Sequence, residues 1–131
     1  MALIVKKFGG SSVADLEKIK FVAEQIRNAH NAGDQLVVVV SAMQGETDRL
    51  LAMANKLSLL PNPRELDVLL STGEQVTIAL LSMALLELGC VARSYTGTQV
   101  KILTDQSHNK ARILNIEQHN ISFKFNALYK R

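Results

Sequence analysis

The segment Lys7-Phe8-Gly9-Gly10-Ser11-Ser12 carries residue types suited to handling a phosphate. Adjacent glycines let backbone N–H groups approach an anion without a Cβ in the way. A helix starting directly after them would add its N-terminal N–H groups and its dipole on the same side. Lys7 places a full positive charge just ahead of the glycines, where it could meet the oxygens of a transferring phosphoryl group. Ser11 and Ser12 add hydroxyls, and Ser12 also suits the N-cap of the following helix, with Asp15 completing a capping-box-like pair. The pattern is neither a Walker A loop, whose lysine follows its glycines, nor G-x-G-x-x-G. A tight strand-to-helix turn with an incidental lysine is the alternative reading of the same residues.

Further candidates lie downstream. Ser41 ends an apolar run and opens the turn Ser41-Ala42-Met43-Gln44-Gly45-Glu46, followed by Thr47. Thr47 also stands where a helix N-cap is expected. Glu74 is an anion of the type that holds an ammonium group, although Ser71-x-x-Glu74 equally fits a capping box. His30, His108 and His119 have no metal-ligand spacing to one another or to Cys90, so no metal site is expected. Cys90 reads as a small buried hydrophobe, and Asp105 is assigned no chemistry.

These residues need elements to hold them. Ala2–Val5 is β-prone, and Val13, Leu16, Ile19, Ala23 and Ile26 recur at helical spacing, predicting a strand near 2–7 and a helix near 13–31. The run Leu36–Val40 predicts a central strand, 35–41, covered on both faces as in a parallel sheet. Thr47–Leu59 reads as helix, Pro61-Asn62-Pro63 as a break, and Arg64–Leu70 as a short helix. A separate buried helix, 74–88, is predicted after Ser71-Thr72-Gly73-Glu74 and stops at Gly89. Val91–Tyr95 and Ala111–Ile116 are strand candidates. The alternation predicts an α/β fold with a mostly parallel sheet, in which ligands sit at the carboxyl ends of the strands. The turns after Val5 and Val40 lie at those ends.

Composition limits the function classes. The chain has 131 residues, 47% hydrophobic and 21% charged, with a net charge of +3, an ordinary globular mixture. Only 5% of residues are aromatic and no Lys/Arg run exists, which argues against nucleic acid as a partner. A single cysteine excludes an internal disulfide, and the opening Met1–Lys7 has no signal-peptide character, which predicts a cytoplasmic protein. The most apolar stretch, Val76–Leu88, is broken by Thr77, Ser82 and Glu87. It falls short of the ~20 residues of a bilayer span, so no membrane partner is expected.

Residues 5–14, Val-Lys-Lys-Phe-Gly-Gly-Ser-Ser-Val-Ala, resemble the opening signature of aspartate kinases, with Ser11 where that family usually has threonine. The likeness continues through Val37–Met43, Thr47-Asp48, Leu70–Gln75, Ser94–Gln99 and Ala111–Ile113, and covers residues 2–117. Ser71–Glu74 and Thr96–Gln99 resemble the aspartate branch more than other amino-acid kinases. The resemblance implies a three-layer α/β/α sandwich, incomplete here, and transfer of the γ-phosphoryl of ATP, with Mg2+, to the β-carboxylate of L-aspartate. It implies Lys7 as the catalytic cation, with Phe8, Gly9, Gly10, Ser11, Ser12 and Ser41 around the nucleotide. Ser41, Gly45, Thr47 and Glu74 would hold aspartate, Glu74 at its α-amino group. A homo-oligomer is compatible with this reading. After Glu117 the sequence Gln118–Arg131 departs from the family, which predicts 1–117 as the N-terminal part of the kinase domain and 118–131 as the tail of a truncation or frameshift product. A non-catalytic remnant, or a nucleotide-binding or interaction module, is the alternative.

Overall fold

The computed structural model describes residues 2–117, so the alternation Ile121, Phe123, Phe125 lies outside the described residues. The chain forms two compact units, Met1–Ser94 and Tyr95–Arg131.

In the first unit, β1 (Leu3–Phe8) pairs in parallel with β2 (Gln35–Val40), with Leu3 opposite Gln35 and Phe8 opposite Val40. The connection is a short 3-10 turn, Gly10–Val13, then α1 (Leu16–Asn31). α1 begins later than its apolar periodicity suggests. Its N-cap is Asp15, not Ser12, and the Asp15 carboxylate accepts from the Lys18 N–H at 2.8 Å. Past its C-cap Ala32, Gly33 at φ 99° takes the left-handed conformation that closes many helices.

α2 spans Glu46–Leu57, and α3 runs unbroken over Pro63–Glu87. α3 starts as a helix should: Pro63 occupies its first turn, and the Asn62 side chain accepts from the N–H groups of Arg64 and Glu65. The expected break at Ser71–Glu74 is absent. The hydroxyls of Ser71 and Thr72 donate back to the carbonyls of Val68 and Leu69, at 2.8 and 2.7 Å, so neither caps a new helix. Gly89, at φ 79°, terminates α3 as expected, with the Cys90 N–H donating to the Leu85 carbonyl.

The core lies on one face of the sheet. Ile19, Val22 and Ile26 of α1 and Leu81 and Leu85 of α3 pack with Val40, against Phe8, Leu36 and Val38. Alternation along a strand sends Leu3, Val5 and Lys7 to the other face, beside their partners Gln35, Val37 and Val39. That face is bare: Leu3 is 63% exposed, Val5 65% and Val39 46%. The fold is α/β, with a parallel pair and one helical layer. The expectation that 36–40 is a central strand buried on both faces is therefore corrected: among the described residues β2 has only β1 beside it, and helices pack on only one face of the pair.

A second correction concerns α3. At 25 residues, with a mean hydropathy of 1.5 over its most apolar window, it is long and apolar enough to cross a bilayer, and only 22% of that window is buried. The shortness argued from Val76–Leu88 does not hold, because the helix extends back to Pro63. One face, with Gly73, Thr77, Leu81 and Leu85, is packed inside the unit.

The second unit contains β3 (Ile102–Thr104) and β4 (Ile113–Ile116), an antiparallel pair with an irregularity at Leu103/Thr104. β4 falls within the expected strand, β3 was not foreseen, and Val91–Tyr95 is not a strand. Asp105 organises the connection: its carboxylate accepts from the N–H groups of Ser107 and Arg112, at 3.0 and 3.2 Å. Those hydrogen bonds, Ser107's first, hold its pKa below the ordinary value.

Candidate functional site

The parallel register brings two strand ends side by side. Beyond the Phe8–Val40 pair, the Ser41 N–H donates to the Phe8 carbonyl at 3.1 Å. The turn Gly9–Val13 and the turn Ser41–Gly45 therefore leave the sheet together, at its carboxyl end. They touch directly: a Cβ built on Gly10 would lie 3.1 Å from the Ala42 carbonyl oxygen.

Lys7 sits one residue before the end of β1, opposite Val39, on the bare face of the sheet. It is exposed and takes part in none of the ion pairs among the described residues. Gly9 has φ −76° and ψ 171°, an extended conformation open to any residue, so its glycine is not required by φ. Nothing lies within 4 Å of where its Cβ would stand, which leaves that stretch of backbone open.

Two expectations about this loop change. The Ser12 N–H is used inside the turn, donating to the Gly9 carbonyl at 2.9 Å. α1 also starts only at Leu16, with the Asp15 carboxylate at its N-terminus, so its dipole does not act directly on Gly9 and Gly10. What ties the loop to α1 is Lys18, whose ammonium donates to the Ser11 carbonyl at 3.0 Å. Ser11 and Ser12 are exposed.

On the second turn, Gly45 is the N-cap of α2 at φ 77°, a conformation that favours glycine. Thr47 lies inside the first turn of α2 and is not its cap. Beside it, Glu46 accepts two hydrogen bonds from the Arg49 guanidinium, at 2.8 and 2.9 Å. That bonding is the main cause that holds the Glu46 carboxyl below its ordinary value of 4.5. A depressed folded-state pKa adds stability that is present above about pH 4.5 and disappears as pH falls through the folded value. The pair is solvated on the Arg49 side, so its contribution is small. Arg49→Ala is expected to move Glu46 upward towards its ordinary value in a carbon-detected carboxylate titration. An unchanged midpoint would show that the guanidinium is not the cause.

Glu74 is exposed, on the central turns of α3, directly after Gly73. A Cβ on Gly73 would stand 3.0 Å from the Ala42 methyl and 3.5 Å from Glu46 Cγ. Through Ala42 the helix bearing Glu74 thus meets both the Ser41–Gly45 turn and the Gly10 turn. Sequence reasoning passed over Ala42 and Gly73 as functional residues. The available signal was a glycine inside an otherwise helical apolar pattern, which carries a cost unless packing requires it.

The sequence pattern of the Amino acid kinase family matches residues 2–127. This chain belongs to that family. It is 62% identical over 121 residues to an aspartate kinase of Pseudomonas putida, and 62% identical to an aspartokinase of Pseudomonas aeruginosa; each alignment covers 92% of this chain and 29% of the relative. An aspartokinase of Mycobacterium tuberculosis is 49% identical over 116 residues. Among solved structures, the aspartate kinase from Synechocystis superposes with a TM-score of 0.72 at 55% identity, over 75% of this chain and 17% of that one. This amino-acid kinase chain therefore spans under a third of the length of the curated relatives it matches.

A family of this kind implies ATP with Mg2+, and the residues present fit part of that group. They offer an exposed lysine, an unobstructed glycine backbone and exposed hydroxyls at one strand end. Among the described residues there is no cluster of three or more His, Cys, Asp or Glu that could hold a metal.

Proposed function

We propose that this chain is the N-terminal, phosphate-handling portion of an aspartate kinase, with residues 1–117 as its part of the kinase domain. The observation that carries this is the shared strand end, where the turns after Phe8 and Val40 meet and where Gly73 of α3, next to Glu74, abuts Ala42. Identity of 62% to a named aspartate kinase supports that reaction.

In that reaction the β-carboxylate of L-aspartate, already ionised at neutral pH, attacks the γ-phosphorus of ATP. The bond to the β,γ-bridging oxygen breaks, ADP leaves, and an acyl phosphate forms. No general base is needed, so catalysis rests on position and charge. Lys7 neutralises charge on the phosphoryl oxygens in flight. The backbone of Phe8, Gly9 and Gly10 lies along the phosphates, with the hydroxyls of Ser11 and Ser12 beside them. Ser41 stands between nucleotide and substrate. Gly45 and Thr47 border aspartate, and Glu74 meets its α-amino group. Bound Mg2+ supplies further neutralisation of the phosphates. The setting is cytoplasmic synthesis of aspartate-family amino acids, in a homo-oligomer, with neither nucleic acid nor membrane as partner.

A second reading, a nucleotide-binding module without turnover, shares the same exposed lysine and open glycine backbone at the strand end. Calorimetry with Mg·ATP on the 131-residue chain tests what both readings share. Weak binding is expected, lowered about tenfold or more by Lys7→Ala, as for loss of a charge-assisted contact of about 1.5–3 kcal/mol. Equal heats from both proteins would refute the role of Lys7.

A further inference from the structure

Gly73 is out of place by the rules of helices. It is buried near the middle of a 25-residue helix, where glycine is less favourable than alanine. Its backbone does not ask for glycine, since positive φ occurs in this chain's glycines only at Gly33, Gly45 and Gly89. What asks for it is Ala42. A Cβ at residue 73 would stand 3.0 Å from the Ala42 methyl, well inside the ~3.5–4.0 Å at which carbon atoms attract.

Ala42 is gripped from two sides. Its methyl faces Gly73 of α3, and its carbonyl oxygen lies 3.1 Å from where a Cβ on Gly10 would be. It is 5% exposed, and its backbone is anchored next door by the Ser41–Phe8 hydrogen bond. One turn further along α3, Thr77 is fully buried, and its hydroxyl donates to the Gly73 carbonyl at 3.2 Å. The helix thus reaches the loop so closely that a Cβ at residue 73 would push the Ala42 methyl by a few tenths of an ångström, and the helix backbone is satisfied there.

We propose that Ala42 is a spacer setting the separation between the Gly9–Ser12 turn and the start of Glu74's helical turn, with Gly73 and Gly10 as positioning residues on either side. This rests on the aspartate kinase reading, in which the two sides hold the two reactants. Those reactants must meet within a few tenths of an ångström of the productive geometry. Gly73 and Ala42 set that distance without touching either reactant.

The two contacts differ chemically, and that makes the inference testable. Gly73 meets a side-chain methyl, which Ala42→Gly removes. Gly10 meets a carbonyl oxygen, which every residue carries. Ala42→Gly should therefore rescue Gly73→Ala and fail to rescue Gly10→Ala. The full chain is compared as wild type, Gly73→Ala, Ala42→Gly, Gly10→Ala and the two double variants, by amide NMR without ligand and then in titration with Mg·ATP. Gly73→Ala is expected to displace the Gly9–Ser12 resonances and to weaken Mg·ATP about tenfold, scaled from the ~100-fold cost of a 1 Å misplacement. Adding Ala42→Gly restores the resonances, and the affinity to within about twofold, as coupled neighbours do in a double-mutant cycle. Gly10→Ala stays perturbed in both backgrounds. Changes confined to α3, absence of rescue, or equal rescue of both glycine variants would overturn the spacer. If the wild-type chain takes no Mg·ATP, the functional reading falls, and the ligand-free resonance pattern still decides the spacer by the same criteria.

Discussion

Assayed alone with aspartate and Mg·ATP, the 131-residue chain is expected to release ADP at under about a thousandth of the rate of a chimera in which its residues 1–117 replace the matching part of the Pseudomonas putida aspartate kinase. On the proposed reading, Lys7 and the Gly9–Ser12 turn reach one side of a triphosphate, and this chain spans 29% of that relative. Phosphoryl transfer to a carboxylate gives the protein little covalent chemistry, so the rate comes from holding two reactants aligned. Alignment is worth about 7–11 kcal/mol when complete, and half a clamp forfeits several of those. Within the chimera, Lys7→Ala should lower kcat about 100- to 1,000-fold, the usual effect of deleting one group aimed at developing charge. Robust turnover by the chain alone that Lys7→Ala abolishes would refute the need for a fuller clamp and support Lys7. Weak turnover indifferent to that substitution marks a contaminant. An inactive chimera would count against residues 1–117 as a competent kinase portion.

The sequence made the strand ends legible and left their connection hidden. The run Leu36–Val40 and the β-prone opening announced β1 and β2, because short continuous apolar runs rich in β-branched residues and bounded by turn residues are a local strand signal. Site residue types were legible for the same reason: a lysine before two glycines is a local signal. Helix boundaries were less so. Ser12 and Asp15 are both good cap types, and only the backbone turn at Gly10–Val13 decides for Asp15. Ser71-x-x-Glu74 with Gly73 inside it imitates a helix start. It is overridden because Gly73 serves the contact with Ala42, a residue distant in sequence whose approach no window of the chain can show. Coverage of β2 on both faces was inferred from its apolar run. The run is real, but among the described residues only one face has helices against it. Asp105 was given no chemistry, and its carboxylate is a turn-former.

The two faces of the sheet should answer mutation very differently. Ile19 is 2% exposed, in the cluster between α1 and α3, and Ile19→Ala is expected to cost about 2–5 kcal/mol, transfer and cavity together. Against the roughly 5–15 kcal/mol of a native domain, that is a large share. Val39 is 46% exposed on the bare face, and Val39→Thr keeps the β-branched shape while adding a hydroxyl that water can reach. Its cost should stay within about 0.5 kcal/mol, as for surface positions generally. Urea unfolding of both variants at low protein concentration reads the contrast directly. An Ile19→Ala cost below about 1 kcal/mol would show that the core assignment is wrong. A Val39→Thr cost rivalling that of Ile19→Ala would show that the Leu3–Val5–Val39 face is covered in solution. Repeating the melt over a range of protein concentrations then identifies a second copy of the chain as the cover, because stability gained by association rises with concentration and stability intrinsic to one chain does not.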